Sequence, residues 1–264
     1  MVRRGGLGGV HEWGGLRYFR QVREGLCVVE ADEREAACSF WRNGQRVAMK
    51  CACWLAILVG LGSAMAEERP WVSLFDGKSL AGWVSSKGGP PSPGWVVEDG
   101  CIHRKAGGGD LLSEKEFADF ELEFEWKISS GGNSGVKYRL RKTPLAWVGP
   151  EYQVLDDLRH VNGKVADTTA ASLYDVVPAS RDKGLRGPGE WNFSRIVARG
   201  SVLEHWLNGN LAMRVDGSSD KWKQLKKDSK FAKLAGFGEA AAGPILLQDH
   251  GDEVWFRGIR IRCW

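Results

Sequence analysis

The stretch Phe120-Glu-Leu-Glu-Phe-Glu-Trp-Lys-Ile128 alternates apolar and charged residues without a break. A strand turns successive side chains to opposite faces, so Phe120, Leu122, Phe124, Trp126 and Ile128 share one surface. Glu121, Glu123, Glu125 and Lys127 share the other. A helix would scatter both sets around its axis. The pattern predicts a strand with one face in a core and the other in water, as in an antiparallel sandwich sheet. A parallel sheet covered on both faces would read as continuously apolar.

The sequence around it repeats that logic. Asp76-Gly77, Asp99-Gly100, Asn208-Gly209 and His250-Gly251 are turn dipeptides, or close relatives, set between apolar runs. Trp95–Glu98 and Cys101–Arg104 read as a hairpin closed by Asp99-Gly100, and Arg195–Arg199 with Val202–Leu207 as another. In the last strand Phe256 is followed inward by Ile259 and Ile261, so one extra residue is needed. A β-bulge at Arg257-Gly258 supplies it. Ser219–Asp228 has an N-cap serine and places Trp222 and Leu225 at helical spacing, which predicts a short inserted helix. The fold class is all-β: one domain of about ten to twelve strands around a single core.

The front of the chain differs. Residues 1–48 are rich in Arg, Gly and Glu and show no sustained period. Met49-Lys50 then precedes the apolar run Cys51–Gly62 and an Ala64-Met-Ala66 cleavage signal, the composition of an export leader. The run is too short to span a bilayer, and no lipobox precedes Cys51 or Cys53. The expectation is therefore an N-terminal extension (1–48) outside the true start, a signal peptide (49–66) and a folded domain (67–264). Such a protein is exported to the periplasm or the medium. Of 37 Lys and Arg, nine precede residue 67, leaving 28; of 33 Asp and Glu, six do, leaving 27. This near-neutral balance gives no electrostatic support for a nucleic-acid partner. Four of the six cysteines also lie in the leading part. Cys101 and Cys263 remain, either as one disulfide or as two thiols.

Parity identifies polar residues able to share a binding face. Beside inward Val136, Tyr138 and Leu140, Lys137 and Arg139 point outward; beside inward Tyr152 and Val154, so do Glu151 and Gln153. Asp156 would fall inward by strict parity, so it sits past the strand end or follows a bulge. His205 lies in a strand of ambiguous parity, and Asn208 in the turn after it. In Ile245–His250, Leu246, Gln248 and His250 share one face, opposite Ile245 and Leu247. Each has an ordinary structural alternative. Arg139 would pair with a strand carboxylate, His205 would bond across strands, and Gln248-Asp-His-Gly251 would be only a turn. Glu121, Glu123, Glu125 and Lys226–Lys230 read as solvated, and His103 and His160 as surface residues, although His160 is placed to reach the groove.

Seven stretches occur in order that resemble the 3-keto-disaccharide hydrolase domain family. They are Leu74-Phe-Asp-Gly-Lys-Ser-Leu-Ala-Gly-Trp83, Gly132-Asn-Ser-Gly-Val-Lys-Tyr-Arg139, Glu151-Tyr-Gln-Val-Leu-Asp-Asp157, Ala171-Ser-Leu-Tyr-Asp175, Gly189-Glu-Trp-Asn192, His205-Trp-Leu-Asn-Gly209 and Gly243-Pro-Ile-Leu-Leu-Gln-Asp-His-Gly251. The resemblance implies a concanavalin A-like jelly-roll β-sandwich. It also implies action on glycosides whose C3 hydroxyl a partner sugar oxidoreductase has oxidised to a ketone. Such chemistry needs a base, donors for an enolate oxygen and an acid for the leaving group. Glu151, His250 and Asp156 are the catalytic candidates, with base and acid left open between Glu151 and His250. Lys137, Arg139, Gln153, His205, Asn208 and Gln248 are the substrate-binding candidates. A divalent cation between Glu151, Asp156 and His250 is an alternative means of polarising the ketone. Two rivals stand beside this reading. One is a retaining glycosidase of laminarinase type, using Glu151-x-Gln153-x-x-Asp156. The other is a non-catalytic carbohydrate-binding module, with Trp147, Trp222 and Trp255 in its groove.

Overall fold

The computed structural model describes residues 21–22, 25–32, 35–42, 45–50 and 69–264, residue 145 excepted. The chain divides into two compact units, Met1–Glu68 and Arg69–Trp264. The first contains a four-stranded antiparallel sheet of β1 (Gln21–Val22), β2 (Gly25–Asp32), β3 (Glu35–Arg42) and β4 (Gln45–Lys50), in sequential order. Residues 51–66, the greater part of the expected leader, lie outside the described residues.

The second unit opens with β5 (Val72–Ser73), β6 (Trp83–Ser85), β7 (Trp95–Glu98), β8 (Cys101–Arg104), β9 (Leu111–Phe117) and β10 (Phe120–Ile128). It continues with β11 (Asn133–Lys137), β12 (Arg141–Lys142), β13 (Trp147–Val148), β14 (Glu151–Leu155), β15 (Asn192–Arg199), β16 (Val202–Leu207) and β17 (Asn210–Asp216). Helix α1 (Asp220–Asp228), β18 (Gly243–Leu247) and β19 (Val254–Cys263) close the chain. An eight-stranded sheet runs β17-β16-β15-β10-β19-β8-β7, with β5 also on β19; a five-stranded sheet runs β14-β11-β18-β9-β6. Both are antiparallel, and the architecture is a jelly-roll β-sandwich. The strands beyond the expected number are the two- and three-residue segments β5, β6, β12 and β13, too short to leave a periodic trace.

The inner faces meet as alternation requires. Phe120, Leu122, Phe124 and Trp126 of β10 are buried in one cluster with Val136, Tyr152, Val154, Ile245 and Leu247 of the other sheet. Fully burying a large apolar side chain contributes about 1.5–3 kcal/mol. Leu246, between Ile245 and Leu247, belongs instead to a small cluster with Leu112 and Leu140. Gln248 therefore continues the face opposite the core. The β7–β8 hairpin is closed by Asp99 and Gly100, both at positive φ, the geometry that matches strand twist. The expected bulge is present: Glu125 opposes Arg257 and Glu123 opposes Arg260, with Gly258 at φ +59° between them.

That bulge changes the reading of the charged face. It sets Glu121, Glu123 and Glu125 directly across from Arg262, Arg260 and Arg257, and each pair forms a salt bridge. Trp71 lies against Arg260 and Arg262, and Trp191 against Arg257. Glu121 and Glu123 are consequently buried rather than solvated. Cys101 and Cys263 are free thiols, one buried and one exposed.

Candidate active site

On the outer face of the five-stranded sheet, away from the core, lies a cavity of about 150 Å³. Its floor is built by strand parity. Asn133 and Lys137 come from β11, Glu151 and Gln153 from β14, and Gln248 from the position just after β18, where its N–H still donates to Gly135 O at 2.9 Å. Tyr174, Lys230 and Phe231 wall it, and His250 completes the lining. Three larger clefts, of about 540, 620 and 290 Å³, lie elsewhere. None of them holds a histidine or a buried side-chain polar atom without a partner.

The small cavity holds three such atoms. Asn133 Oδ1, Gln153 Oε1 and Gln248 Oε1 are buried and make no hydrogen bond among the described residues. A buried amide oxygen left unpaired costs about 1–3 kcal/mol, and three lining one cavity form an acceptor set for the hydroxyls of a polar ligand. Gln153 is fixed by its other end, because Nε2 donates to Thr168 O at 3.2 Å. Asn133 is fixed through its backbone N–H, which donates to Asp252 at 3.0 Å.

Glu151 is buried beneath these groups, with Lys137 Nζ 3.4 Å from its carboxylate. Burial raises its pKa above the ordinary carboxylate value, against the opposing pull of Lys137, Lys230 and His250. It lies where Gly135 leaves room: a Cβ at residue 135 would stand 2.5 Å from Glu151 Oε1. A carboxylate with a raised pKa in a small polar cavity is suited to taking up a proton.

The Gln248–Gly251 segment is more than a turn. Asp249 is its anchor. Its carboxylate pairs with Arg104 at 2.7 Å, both side chains buried, and accepts the N–H groups of Gly108 and Gly109 at 2.9 Å each. Burial alone would raise the Asp249 pKa. The amides of Gly109, Gly108 and Gly251, with Arg104, outweigh it and bring the pKa below the usual value. Clamped this way, the segment presents Gln248 and His250 to the cavity. His160 approaches His250 edge-on, with ring centroids 6.4 Å apart. Its Nδ1 accepts the Asn162 N–H and caps a short 3₁₀ turn.

Five of the nine residues singled out from sequence thus meet in one cavity: Glu151, His250, Lys137, Gln153 and Gln248. The other four are placed elsewhere. Arg139 follows the end of β11 at φ +46°, so strand parity no longer governs it. Its guanidinium is buried on Ala118 O, Gly200 O and Asp119. His205 is fully buried in the core, Nε2 facing Tyr138 Oη at 2.9 Å and Nδ1 facing Ala171 O at 3.1 Å. Burial depresses its pKa to about 3. Asn208, at φ +48°, holds the turn before β17 by bonding Phe193 N, Gly184 O and Asn192. Asp156 caps backbone: its carboxylate accepts Gly131 N and Leu158 N and reaches Arg159. Burial raises its pKa, but those partners together leave it lowered.

Glu151, Asp156 and His250 accordingly do not form a ligand set for a divalent ion. Among the described residues no group of three His, Cys, Asp or Glu side chains has that geometry. Nor do the expected stacking tryptophans line the cavity. Trp147 bonds Ser86 O, Trp222 is buried against Phe237, and Trp255 stacks on His103. Asn133, Tyr174, Lys230 and Phe231 were not singled out. Asn133 could have been found, because it shares parity with Lys137. The other three come from segments without a period.

A family profile described as 3-keto-alpha-glucoside-1,2-lyase-like domain matches residues 70–262. A curated Bacteroides thetaiotaomicron protein named 3-keto-disaccharide hydrolase is 35% identical over 227 residues, spanning 73% of this chain and 78% of that protein. Two solved structures from Parabacteroides distasonis, both provisionally named glycosyl hydrolases, are also similar. One has a TM-score of 0.67 at 30% identity, covering 74% of this chain and 94% of its own. The other has 0.58 at 27%, covering 74% and 100%.

Proposed function

The chain belongs to the family of 3-keto-alpha-glucoside-1,2-lyase-like domains and is a glycoside-cleaving enzyme, and from that premise we propose that it cleaves 3-keto-glycosides by elimination and hydration. The observation that carries the reading is the convergence of Glu151, His250, two ammonium groups and three unpaired amide oxygens on a cavity of about 150 Å³. That volume is well below the ~300–1,000 Å³ of sites for larger ligands, and it suits one sugar ring rather than a chain.

A C3 ketone acidifies the C2–H bond. Glu151, deep in the cavity, takes that proton, and the electron pair moves through C2–C3 onto the ketone oxygen. The enolate then collapses, C1–C2 becomes a double bond, and the C1–oxygen bond breaks. His250, exposed at the mouth, protonates the departing oxygen, because the leaving group must remain on the open side. Water adds back at C1 and a proton returns to C2, so the net change is hydrolysis. Gln153, Gln248 and Asn133 receive the ring hydroxyls, and Lys137 holds the carboxylate of Glu151 in place.

Specific features disfavour both rivals. Glu151 is the sole carboxylate among the nine described residues lining the cavity, whereas a retaining glycosidase needs two. A binding module has no use for a buried acid of raised pKa.

The test is NMR in D2O with purified protein, a 3-keto-disaccharide and its unoxidised parent. The expected result is cleavage of the keto-sugar alone, with deuterium entering at C2 faster than in an enzyme-free control. Equal cleavage of both sugars, or cleavage without exchange, would sink the mechanism. In this reading an oxidoreductase that installs the ketone supplies the substrate, and the enzyme works after export. N-terminal sequencing of protein recovered outside the cytoplasm is expected to start at Glu67; an intact residue 1 there would refute export with cleavage.

A further inference from the structure

Lys230 lies just past the C-terminus of α1, in a segment whose composition suggests only a solvated helix end. The structure holds its backbone from both sides. Its N–H donates to Asp175 Oδ2 at 2.6 Å, and Asp175 itself sits at φ +61°, a left-handed conformation unusual for a residue with a side chain. The next residue, Phe231, stacks on Phe237 with centroids 4.1 Å apart, and Phe237 stacks in turn on buried Trp222 of α1. The short helix thus serves as a footing for the cavity wall.

The side chain it carries is unusual. Lys230 Nζ lies 3.9 Å from the ring centroid of Tyr174 and 5.1 Å from that of Phe231. Among the described residues it forms no direct ion pair, although its charge acts on Glu151 from a distance, whereas Lys137, the other ammonium in the cavity, is paired with Glu151 directly. An ammonium set on an aromatic face is held in place without being neutralised. Such a cation gains most when a negative charge appears beside it, and that occurs as the substrate becomes an enolate. A group that binds the transition state better than the ground state raises kcat rather than lowering KM.

We infer that Lys230 is the catalytic cation that receives the ketone oxygen as it becomes an enolate, with Tyr174 as the rest on which the ammonium waits. This rests on the keto-glycoside reading above. The two lysines then have separate roles, Lys137 serving the base and Lys230 the oxyanion. The inference also gives a role to the Ala171–Asp175 segment, where Ala171 and Asp175 both adopt positive φ and Tyr174 and Asp175 fix the two ends of Lys230.

The test compares Lys230→Met and Lys230→Arg with the unaltered full chain, using a 3-keto-disaccharide. Loss of one oxyanion donor costs about 10²–10³ in rate. Lys230→Met is expected to lose that much in kcat, with KM changed less than threefold and C2 deuterium exchange slowed in parallel. Lys230→Arg keeps the charge and is expected to recover at least a tenth of the activity. Lys230 is exposed, so both variants should melt with the unaltered protein. An unchanged kcat, a rise in KM alone, or equal loss in both variants would overturn the assignment. If the unaltered protein fails to turn over the keto-sugar, it is the keto-glycoside reading that fails; if it succeeds and Lys230→Met matches it, only the role of Lys230 does.

Discussion

Gly135→Ala tests the site at its most constrained point. Gly135 lies in β11 opposite Gln153, on the face that also carries Lys137 and, across the pair, Glu151. An added Cβ would stand 2.5 Å from Glu151 Oε1 and 3.1 Å from its Cδ and Cγ. Ordinary contacts are about 3.5 Å or longer, so the carboxylate must retreat by roughly 1 Å. The backbone has no objection, because Gly135 is not among the residues at positive φ. Replacing glycine at a compatible position stabilises by about 0.4–1 kcal/mol through the unfolded chain, which offsets part of the crowding. Stability should therefore stay within about 1 kcal/mol of the unaltered protein. Catalysis should not, since a 1 Å misplacement of a reacting group costs about 10²-fold. The assay is kcat/KM on a 3-keto-disaccharide beside chemical denaturation of the same samples. A variant that keeps full kcat/KM at unchanged stability would refute the claim that this carboxylate, in this position, moves the proton. A variant that merely unfolds would refute the packing argument.

Three further outcomes follow from the same structure. Glu151→Gln should lose at least 10²-fold in kcat while becoming no less stable. Because the folded pKa of Glu151 is raised, its contribution to stability is complete below the ordinary value of 4.5 and is lost as pH rises through the folded value. The variant should therefore match the unaltered protein in acid and equal or exceed it at neutral pH, as read by denaturation at both. Asp249→Ala should cost about 3–5 kcal/mol, because it leaves the buried Arg104 guanidinium without its partner; an intact denaturation midpoint would show that the clamp is not structural. His205→Gln should flatten the acid side of the stability curve. The folded pKa of His205, about 3, lies below the ordinary 6.5, so stability present above pH 6.5 is lost as pH falls toward 3. The shape of the kcat–pH profile should not move, and a displaced limb would put His205 in the reaction after all.

Periodicity carried the sandwich and much of the site. The alternation in Phe120–Ile128 predicted the core face of β10, and the odd spacing of Phe256, Ile259 and Ile261 predicted the bulge. Parity within β11 and β14 brought Lys137, Glu151 and Gln153 to one surface, and it carried one residue past β18 to Gln248 because the Gln248 N–H still bonds Gly135 O and keeps the backbone extended. Parity failed where the strand ended. Arg139 and Asp156 lie one or two residues past β11 and β14, and positive φ or a turn redirected them to backbone groups. The parity of His205 was ambiguous in the sequence, and the structure resolved it against the site, because the face it shares with Leu203 and Leu207 is the core face of β16.

What the sequence determined by itself was local and repeating: strands, turns, the inserted helix, and the faces on which polar residues fall. These depend on dihedral preferences and on a period of two, which a chain records residue by residue. Only the tertiary structure decided which segments meet. Asp249 reaches Gly108, Gly109 and Arg104, about 140 residues earlier, and Lys230 reaches Tyr174 across 56 positions. Whether an aspartate in a turn is a clamp, or a lysine past a helix is a reagent, depends on burial and on partners distant in the chain. No local pattern encodes either, because both are set by how the two sheets close and what they leave uncovered.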